Sequence, residues 1–333
     1  LYKNKNLVKI IKYFMKILII QNRMGIGDMI IFLPFIEAIA KKYKTPVSIL
    51  VKENSKAEEY LLKNKNIENI IHLERNGKNG NHDGILGTLK LVKSLKKYKF
   101  ERVYIFNSSL RYYIMAKMTG VKKIYQYPLF EKKEQHIINT AKNFIRLQLD
   151  EEVQSNPIIN LEDKKIQDAK KTYKIEDEQI NILLGIGGSG PTKRIPAETF
   201  IKFMERVSQQ NNCKFFLATG SKKEEQIILN QILKSKFNDR CIPLDKLKIN
   251  ETLPIIKNCK IAICNDSSFS HLSAALKIPT IVLMSDTPLL YGSYSPRMYP
   301  IIPDGEDNVK HNTLGKEKIN PDKIFNLYNK LLN

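Results

Sequence analysis

The chain alternates short apolar runs with longer segments in which apolar residues recur every three or four positions. The short runs have the length of buried strands, and the longer segments have the spacing of amphipathic helices. This alternation is typical of strand–helix units around parallel sheets. In the first half it predicts strands at Lys16–Ile20, Val47–Val51, Ile70–Leu73 and Arg102–Phe106, and helices at Met29–Tyr43, Lys56–Lys63, Leu86–Tyr98 and Leu110–Met118.

The alternation lapses between residues 150 and 180, where the sequence becomes charged, and then restarts. A length of 333 residues also favours two cores over one. We therefore expect an α/β fold with two Rossmann-like domains, residues 15–160 and 175–318, whose parallel sheets face a central cleft. A basic extension (1–14) and a closing helix (319–333) flank them. The second half predicts strands at Ile180–Leu184, Lys214–Ala218, Ile261–Cys264 and Thr280–Met284, and helices at Ala197–Gln210, Glu224–Lys234, Glu251–Asn258 and Pro321–Leu332.

The charge balance indicates the class of partner. The chain has 55 Lys and Arg against 34 Asp and Glu, a net charge of +21, which favours an anionic partner. Most basic residues are lysines scattered along helices, and the sequence has no nucleic-acid-binding motif, so we expect a membrane surface or a phosphorylated substrate rather than nucleic acid. The four cysteines match no zinc or redox spacing, so we expect no metal.

The sequence has no uncharged apolar run of about 18 residues, so we expect no transmembrane helix. Residues 1–14 are basic and amphipathic, but they lack the apolar core and cleavage site of a secretory signal. Two interpretations stay open for them: an extension from an upstream start site, or an interfacial helix on anionic lipid.

The stretch from Asn265 to Leu276 is the most informative part of the chain. It follows a short apolar strand and leads into good helix formers through a turn rich in Asn, Asp and Ser. The first backbone N–H groups of such a helix, together with its positive end, form a seat for phosphate. A capped helix in an ordinary α/β protein explains Asp266 and one serine, but it explains less well why His271 lies one turn further on. We therefore favour a ligand site.

A second candidate follows the first predicted strand, where Gly25 and Gly27 precede Asp28. Glycine lets the backbone turn tightly or approach a ligand closely. The pattern is neither a dinucleotide-binding Gly-x-Gly-x-x-Gly nor a P-loop. Two interpretations of Asp28 stay open: it is the N-cap of the following helix, or it is a carboxylate in the cleft that acts as a general base.

The second half contains a further Gly-rich turn, Gly185–Pro196, between a strand and a helix. Exposed N–H groups and the flexible cation of Lys193 suit a diphosphate, although an ordinary surface loop has the same composition. The next strand ends at Thr219-Gly220-Ser221, followed by Glu224 and Glu225. A carboxylate there either binds ribose hydroxyls or complements the dipole of the following helix.

These motifs together, in this order and spacing, resemble glycosyltransferase family 9, the bacterial heptosyltransferases of lipopolysaccharide core assembly. The resemblance runs from about Met15 to Thr287 and is most specific in the block that begins at Asp266. It implies a GT-B fold. It also implies inverting, metal-independent transfer of a sugar, typically heptose from ADP-heptose, onto a lipopolysaccharide or lipooligosaccharide core acceptor.

By motif position, Asp28 resembles the catalytic base of the family, with Arg23, Gly25 and Gly27 on the acceptor side. Lys193 resembles the lysine that binds the donor phosphates. Glu224 resembles the acid that binds the ribose, and the alignment also allows Glu225. The other positions matched to donor binding are Gly187, Gly188, Ser189, Asp266, Ser267, Ser268, Phe269 and His271. The resemblance further implies no cofactor, an anionic glycolipid acceptor, and a monomer in the cytoplasm at the inner-membrane face.

Three positions depart from the family pattern. Ile195 stands where the family has Trp, Ser268 where it has Gly, and Ser285-Asp286-Thr287 where it has Gly-Pro-Thr. These departures leave alternatives open. The chain could transfer a different nucleotide sugar, epimerise one in a related two-domain fold, or be an inactive binding homologue.

Overall fold

Each half of the chain is built on one parallel sheet in the computed structural model, which describes residues 15–75, 77, 80–129 and 136–332. The predicted extension at residues 1–14 lies outside this range. The first sheet has the order β3 (Ile67–His72), β2 (Val47–Val51), β1 (Ile17–Gln21), β4 (Arg102–Ile105) and β5 (Lys123–Gln126). The second has the order β11 (Met298–Ile301), β10 (Thr280–Leu283), β9 (Ile261–Asn265), β6 (Ile180–Gly185), β7 (Cys213–Ala218) and β8 (Cys241–Pro243).

Helices cover both faces of each sheet, which explains why the central strands are apolar throughout. On the first sheet, one face is covered by α1 (Ile26–Tyr43) and α5 (Ile137–Leu149), and the other by α3 (Gly84–Lys96) and α4 (Leu110–Met118). On the second, one face is covered by α7 (Ala197–Gln210), α8 (Lys223–Leu233) and α11 (Pro321–Leu332), and the other by α9 (Ile249–Lys257) and α10 (Ser268–Ala275). Two shorter helices, α2 (Glu58–Leu61) and α6 (Asp163–Thr172), pack against α9.

The predicted fold class, two α/β domains with parallel sheets, is confirmed by this topology. The residue limits of the two domains stay a prediction. The closing helix α11 packs on the second domain, where Tyr328 meets Phe203 edge to face with ring centroids 5.7 Å apart.

The strand order identifies the position of the site in each sheet. From β1 the chain proceeds to β2 on one side and later to β4 on the other, and β6 is likewise flanked by β7 and β9. Ligands of open α/β sheets bind at such switch points, outside the carboxyl ends of the strands. The segment with Gly25, Gly27 and Asp28 follows β1, at the switch point of the first sheet. The Gly-rich turn follows β6 and the turn at Asp266 follows the neighbouring strand β9, at the switch point of the second sheet.

The two domains share an apolar core. Helix α1 is buried on most of its circumference because it lies between the first sheet and helix α10 of the second domain. Ile30, Phe32 and Phe35 of α1 therefore belong to the same buried cluster as Phe269 and Leu272 of α10. This packing brings the carboxyl edges of the two sheets to a common cleft.

The differences from the predicted elements have simple causes. Strands β5, β8 and β11 were not predicted, and all three lie at a sheet edge, where a strand is less buried. Two of them also contain proline, Pro243 and Pro300, which edges tolerate. The predicted helix Lys56–Lys63 is wrong in extent: α2 has four residues, and it begins later than predicted because Lys56 adopts a left-handed φ of +53°.

Candidate active site

The loop between β1 and α1 makes a turn that only glycine adopts easily. Gly25 has φ +99° and ψ 161°, a region closed to residues with a Cβ. Helix α1 begins at Ile26 immediately after it, so Asp28 lies inside the first turn of the helix. The interpretation of Asp28 as the N-cap is therefore wrong, because Gly25 occupies that position. A carboxylate in the first turn is favoured by the helix dipole.

The Asp28 carboxyl is mostly buried, with 19% of its side chain exposed, and it accepts a hydrogen bond from Arg23 Nε at 3.1 Å. Burial raises the pKa of Asp28, and the charges of Arg23 and Lys193 partly oppose that rise. Lys193 belongs to the second domain, so a charge from each domain acts on this carboxyl.

On the opposite wall, Lys193 is held by a buried acid. Its Nζ lies 2.7 Å from Oδ2 of Asp266, and the Thr287 hydroxyl donates to the same oxygen at 2.6 Å. Although burial raises the pKa of Asp266, the charges of Lys193 and His271 and these hydrogen bonds outweigh it, and the pKa lies below the usual value. Asp266 was expected to bind the donor, and that stays a prediction. In the structure its carboxylate accepts hydrogen bonds from Lys193 and Thr287, so its direct contact is with the lysine.

Helix α10 begins beside this ion pair. Ser267 is the N-cap, and both Ser267 and Ser268 are partly exposed at the helix start. The first N–H groups of a helix have no partner within the helix, so they are available to an anion here. Phe269 was expected to contact the donor, but its side chain is buried in the apolar core shared with α1. Only its backbone N–H group is suited to donor binding.

His271 lies one turn further along α10, buried at the contact between the domains. Its Nδ1 is 2.9 Å from the Tyr294 hydroxyl, and the two rings stack with centroids 5.6 Å apart. Burial lowers the pKa of His271 to about 4, so the imidazole is neutral at pH 7. Its other edge lies directly against Gly27, where an added Cβ would be 2.6 Å from Cδ2.

The Gly-rich turn after β6 is held by Glu225. The carboxylate accepts a hydrogen bond from Gly188 N at 2.9 Å. It fills a slot that only glycines leave open, because a Cβ on Gly187 or Gly220 would lie 2.7 or 2.4 Å from its oxygens. Glu224, in contrast, is exposed to solvent. Of the two acids that the sequence left open for the ribose, Glu225 is the one that faces this turn; which of them binds the ribose stays a prediction.

One N–H group that the Gly-rich turn was expected to offer a ligand is already used, because the N–H of Gly188 donates to Glu225. The turn is also held from the other side, where the carbonyl oxygen of Gly187 accepts a hydrogen bond from the Asn265 side chain at 3.2 Å. Ser189 is exposed. Hydrogen bonds on both sides therefore hold the turn in place, and Lys193 is the charged group that it presents to the cleft.

Several buried oxygens at this edge of the second sheet lack a hydrogen-bond partner among the described residues. They are Thr219 Oγ1, Asn265 Oδ1 and Ser267 Oγ. Unpaired buried polar atoms are rare in folded proteins and commonly mark a site for a ligand or water.

Within the part of the chain that the structure describes, no group of three or more His, Cys, Asp or Glu side chains is arranged to hold a metal ion.

A profile of glycosyltransferase family 9 (heptosyltransferase) matches residues 88–317. The chain belongs to glycosyltransferase family 9. It is 31% identical over 118 residues to lipooligosaccharide heptosyltransferase 2 of Haemophilus influenzae, a match that covers 34% of this chain and 32% of that protein. It is 26% identical over 260 residues to lipooligosaccharide heptosyltransferase 2 of Campylobacter jejuni, covering 73% and 76% of the two chains. The chain thus spans about a third of the first relative.

Among solved structures, the chain is similar to the ADP-heptose LPS heptosyltransferase II of E. coli. The TM-score is 0.72 at 18% identity, and the match covers 96% of this chain and 98% of that one. This likeness establishes the GT-B arrangement of two domains.

The departures from the family 9 pattern have structural explanations. Ile195, which replaces Trp, is fully buried in the core of the second domain with Ile186 and Phe200, so it is a packing position. Ser285 donates a hydrogen bond to the Thr192 carbonyl at 2.8 Å and so fixes the turn that carries Lys193. Ser268 fits the first helical position of α10.

Sequence reasoning missed residues that follow β10 and close the cleft. Burial is the main cause of the raised pKa of Tyr291. The charges of Arg23, Asp28 and Asp266 also act on it. Its ring meets His136 of the first domain at 4.4 Å between centroids. The position of Tyr291 and Tyr294 after a strand at the same sheet edge was the signal that could have found them.

Among the described helices, none is long and apolar enough to cross a membrane.

Proposed function

We propose that the protein is an inverting glycosyltransferase that moves heptose from ADP-heptose onto a lipopolysaccharide or lipooligosaccharide core acceptor. The observation that carries the proposal is geometric: Gly27, the residue before Asp28, lies against His271 of α10, and the residue that precedes that helix's N-cap, Asp266, holds Lys193 at 2.7 Å. A base facing a phosphate-binding cation is what displacement of a nucleoside diphosphate requires. The family and the heptosyltransferase names of the relatives support the choice of sugar.

Asp28 removes the proton of the acceptor hydroxyl in this proposal. Inversion requires that hydroxyl to attack the anomeric carbon from the face opposite the leaving diphosphate, so the base must lie across the cleft from the phosphates. Burial moves the pKa of Asp28 upwards, towards pH 7, and a general base is most effective when its pKa lies near the working pH. Arg23 fixes the orientation of the carboxyl through its hydrogen bond.

The opposite wall stabilises the leaving group. Negative charge grows on the leaving phosphate, and it meets the Lys193 ammonium and the first N–H groups of α10. Because Asp266 holds the lysine before the donor arrives, little reorganisation is needed during the reaction. A preorganised donor group of this kind contributes about 3 kcal/mol to lowering the barrier.

The nucleoside binds further along the same wall. Glu225 is buried beneath the Gly-rich turn with one oxygen bonded to Gly188 N, and its other oxygen is the acceptor we assign to the ribose hydroxyls. The unpaired Thr219 Oγ1 lies beside Gly187 on the same wall. With the nucleoside on this wall and Asp28 in the first domain, the sugar would lie between the two domains.

The acceptor enters from the first domain. A cavity of about 800 Å³ lies at the carboxyl edge of its sheet, lined by Met24 from the loop before Asp28 and by Lys52, Lys56, Arg75 and Asn81, among others. This volume suits an oligosaccharide end, and the lining has three basic side chains against two acidic ones, Glu53 and Glu74, a small positive balance that favours an anionic acceptor. With the net charge of +21, we extend the proposal to a monomer in the cytoplasm that works at the inner-membrane surface.

Epimerisation of a nucleotide sugar and inactive binding are the competing functions. We would incubate the protein with radiolabelled ADP-heptose, with and without a core acceptor, and separate the products. Transfer of label to the acceptor with ADP release, and an inverted anomeric configuration by NMR, supports the proposal. Conversion of the free sugar without acceptor identifies an epimerase, and donor binding without any product identifies an inactive homologue.

The identity of the donor is tested separately by thermal unfolding with ADP-, UDP- and GDP-sugars. A ligand that binds the folded state raises Tm by mass action. ADP-heptose should raise Tm most, and a larger rise with a UDP- or GDP-sugar would contradict the proposed donor.

A further inference from the structure

The outer face of helices α3 and α4 exposes an unusual number of large apolar side chains. Six of the eleven exposed large hydrophobic residues in the described part of the chain lie on these two helices: Ile85, Leu86, Leu89, Leu110, Ile114 and Met118. Ile85 and Leu86 are 81% and 76% exposed. An exposed apolar patch of this kind usually marks an interaction site. We call this surface the α3–α4 face.

These side chains form one surface because the two helices pack side by side and begin at the same place. Arg111 of α4 donates hydrogen bonds to the carbonyl oxygens of His82 and of Gly84, the first residue of α3. The arginine thereby joins the starts of both helices. Ile85 and Leu86 follow Gly84 directly, and Leu110 precedes Arg111, so these apolar side chains are neighbours at this end.

The same face is strongly basic. The sequences of α3 and α4 contain five Lys and Arg residues and no acidic residue. On α3, Lys90, Lys93 and Lys96 are exposed and share the helix side that carries the three apolar residues. On α4, Lys117 is exposed beside Ile114. Apolar side chains ringed by lysines are the composition that binds anionic lipid.

The α3–α4 face also borders the cavity that we assign to the acceptor. Asn81 lines that cavity and lies three residues before the start of α3. Arg75, another lining residue, has its NH1 3.5 Å from the Tyr112 hydroxyl of α4. A molecule held in the cavity is therefore close to whatever covers this face.

We propose that the α3–α4 face docks on an anionic phospholipid bilayer, with its apolar residues in the headgroup region and its lysines on the phosphates. This position would let a lipid-borne sugar reach the cavity without leaving the bilayer. That benefit rests on the proposed function, but the docking itself does not, so it is tested on vesicles that contain no acceptor.

The experiment is co-sedimentation with vesicles of phosphatidylethanolamine containing about one-third phosphatidylglycerol, beside vesicles of neutral phosphatidylcholine. The wild-type protein should bind the anionic vesicles and leave the neutral ones. Ile85→Ser combined with Leu86→Ser should weaken binding about tenfold or more, because both side chains leave the headgroup region. Lys90→Glu combined with Lys93→Glu should weaken it about 25-fold or more, at roughly fivefold for each lysine lost.

Matched controls change the same chemistry elsewhere. Leu147→Ser with Ile227→Ser removes two exposed apolar residues from α5 and α8, and Lys164→Glu with Lys165→Glu makes the same charge change on α6. Both should bind vesicles as the wild type does. Thermal unfolding of every variant verifies that it is folded. Equal loss in the charge control would mean that only net charge matters, which overturns the assignment.

Two other outcomes would also overturn the proposal. If removal of residues 1–14 abolishes binding that the α3–α4 substitutions leave intact, the anchor is that segment. Alternatively, sedimentation velocity without lipid could show a dimer that Ile85→Ser with Leu86→Ser dissociates, and the face would then bind a second copy of the chain. Loss of vesicle binding with unchanged sugar transfer to a lipid-free acceptor would separate this proposal from the proposed function.

Discussion

Gly27 in the first domain lies directly against the imidazole of His271 in the second. A Cβ added to Gly27 would be 2.6 Å from Cδ2 and 3.0 Å from Nε2 of that ring. Since Asp28 is the next residue in the chain, this contact fixes the distance between the carboxyl and the start of α10. The glycine is thus required by a residue of the other domain.

Gly27→Ala tests this contact, and the sign of the effect is diagnostic. Without a collision, alanine replacing glycine in a helix is neutral or stabilising, by up to about 1 kcal/mol in a helix interior. Here the collision with His271 should instead reduce the free energy of unfolding by about 1–3 kcal/mol, as measured in urea. In a His271→Ala background the ring is gone, and Gly27→Ala should become neutral or stabilising. Destabilisation of equal size in both backgrounds would contradict the contact.

Asp28→Asn should reduce turnover about 10²- to 10⁴-fold, the usual contribution of a general base. Donor affinity, measured by calorimetry, should stay unchanged because Asp28 lies on the acceptor side. The wild-type rate should rise with pH through the raised pKa of Asp28 because only the ionised form accepts a proton. As the surroundings disfavour that ionised form, the substitution should not lower Tm at neutral pH. Near-normal turnover would remove Asp28 from the mechanism.

Lys193→Ala should weaken donor binding about 10- to 100-fold, the range expected for a lost hydrogen bond to a charged phosphate. Asp266→Asn leaves the lysine in place but loosens it, since Oδ2 accepts from both Lys193 and Thr287. Its effect should be smaller on affinity than on kcat. Isothermal titration with ADP beside steady-state kinetics separates the two. Equal losses of affinity in both variants would mean that Asp266 contacts the donor itself.

Glu225→Ala should weaken ADP binding and destabilise the protein by about 1–3 kcal/mol, because the buried N–H of Gly188 loses its acceptor. Glu224→Ala is the matched control one residue earlier on α8, and its exposed side chain makes it neutral in both measurements. The comparison needs only ADP titration and thermal unfolding. A larger loss of ADP affinity for Glu224→Ala would restore that residue to the ribose.

His271 makes the protein sensitive to acid. Burial lowers the pKa of His271 in the folded protein to about 4, against an ordinary value near 6.5. Between these two values the unfolded chain binds a proton at this residue and the folded chain does not. The stabilisation is complete above pH 6.5 and decreases as the pH falls towards 4, by about 3 kcal/mol in all. Urea unfolding at several pH values should show this slope. His271→Gln should flatten it, and an unchanged slope would mean that other groups carry it.

The sequence predicted those features that local chemistry dictates. The turn at Asp266, the Gly-rich turn and Asp28 were found because each follows a buried strand, and parallel strands end at the same edge of a sheet. It could not show that Asp266 turns to Lys193, because the two are 73 residues apart and only the fold brings them together. The acid at the Gly-rich turn was ambiguous between neighbours, since only helix phase decides which of them faces inwards.

Other misses have the same physical origin. The short edge strands carry too little apolar signal to be distinguished from loops. The cleft residues Tyr291 and His136 come from different domains, and no local pattern links them. Helix α5 is the exception: Ile138, Ala141 and Ile145 recur at helical spacing and could have predicted it.

The apolar core that α1 and α10 share limits how the cleft between the two domains can open. Swinging the lobes apart as a hinge would expose Phe269 and Leu272 to water together with the side chains of α1 that cover them. Sliding one helix along the other would keep most of that surface covered. Donor entry and product release should therefore proceed by shear, in which one domain slides along the other. His271 of α10 would then move along α1 at Gly27.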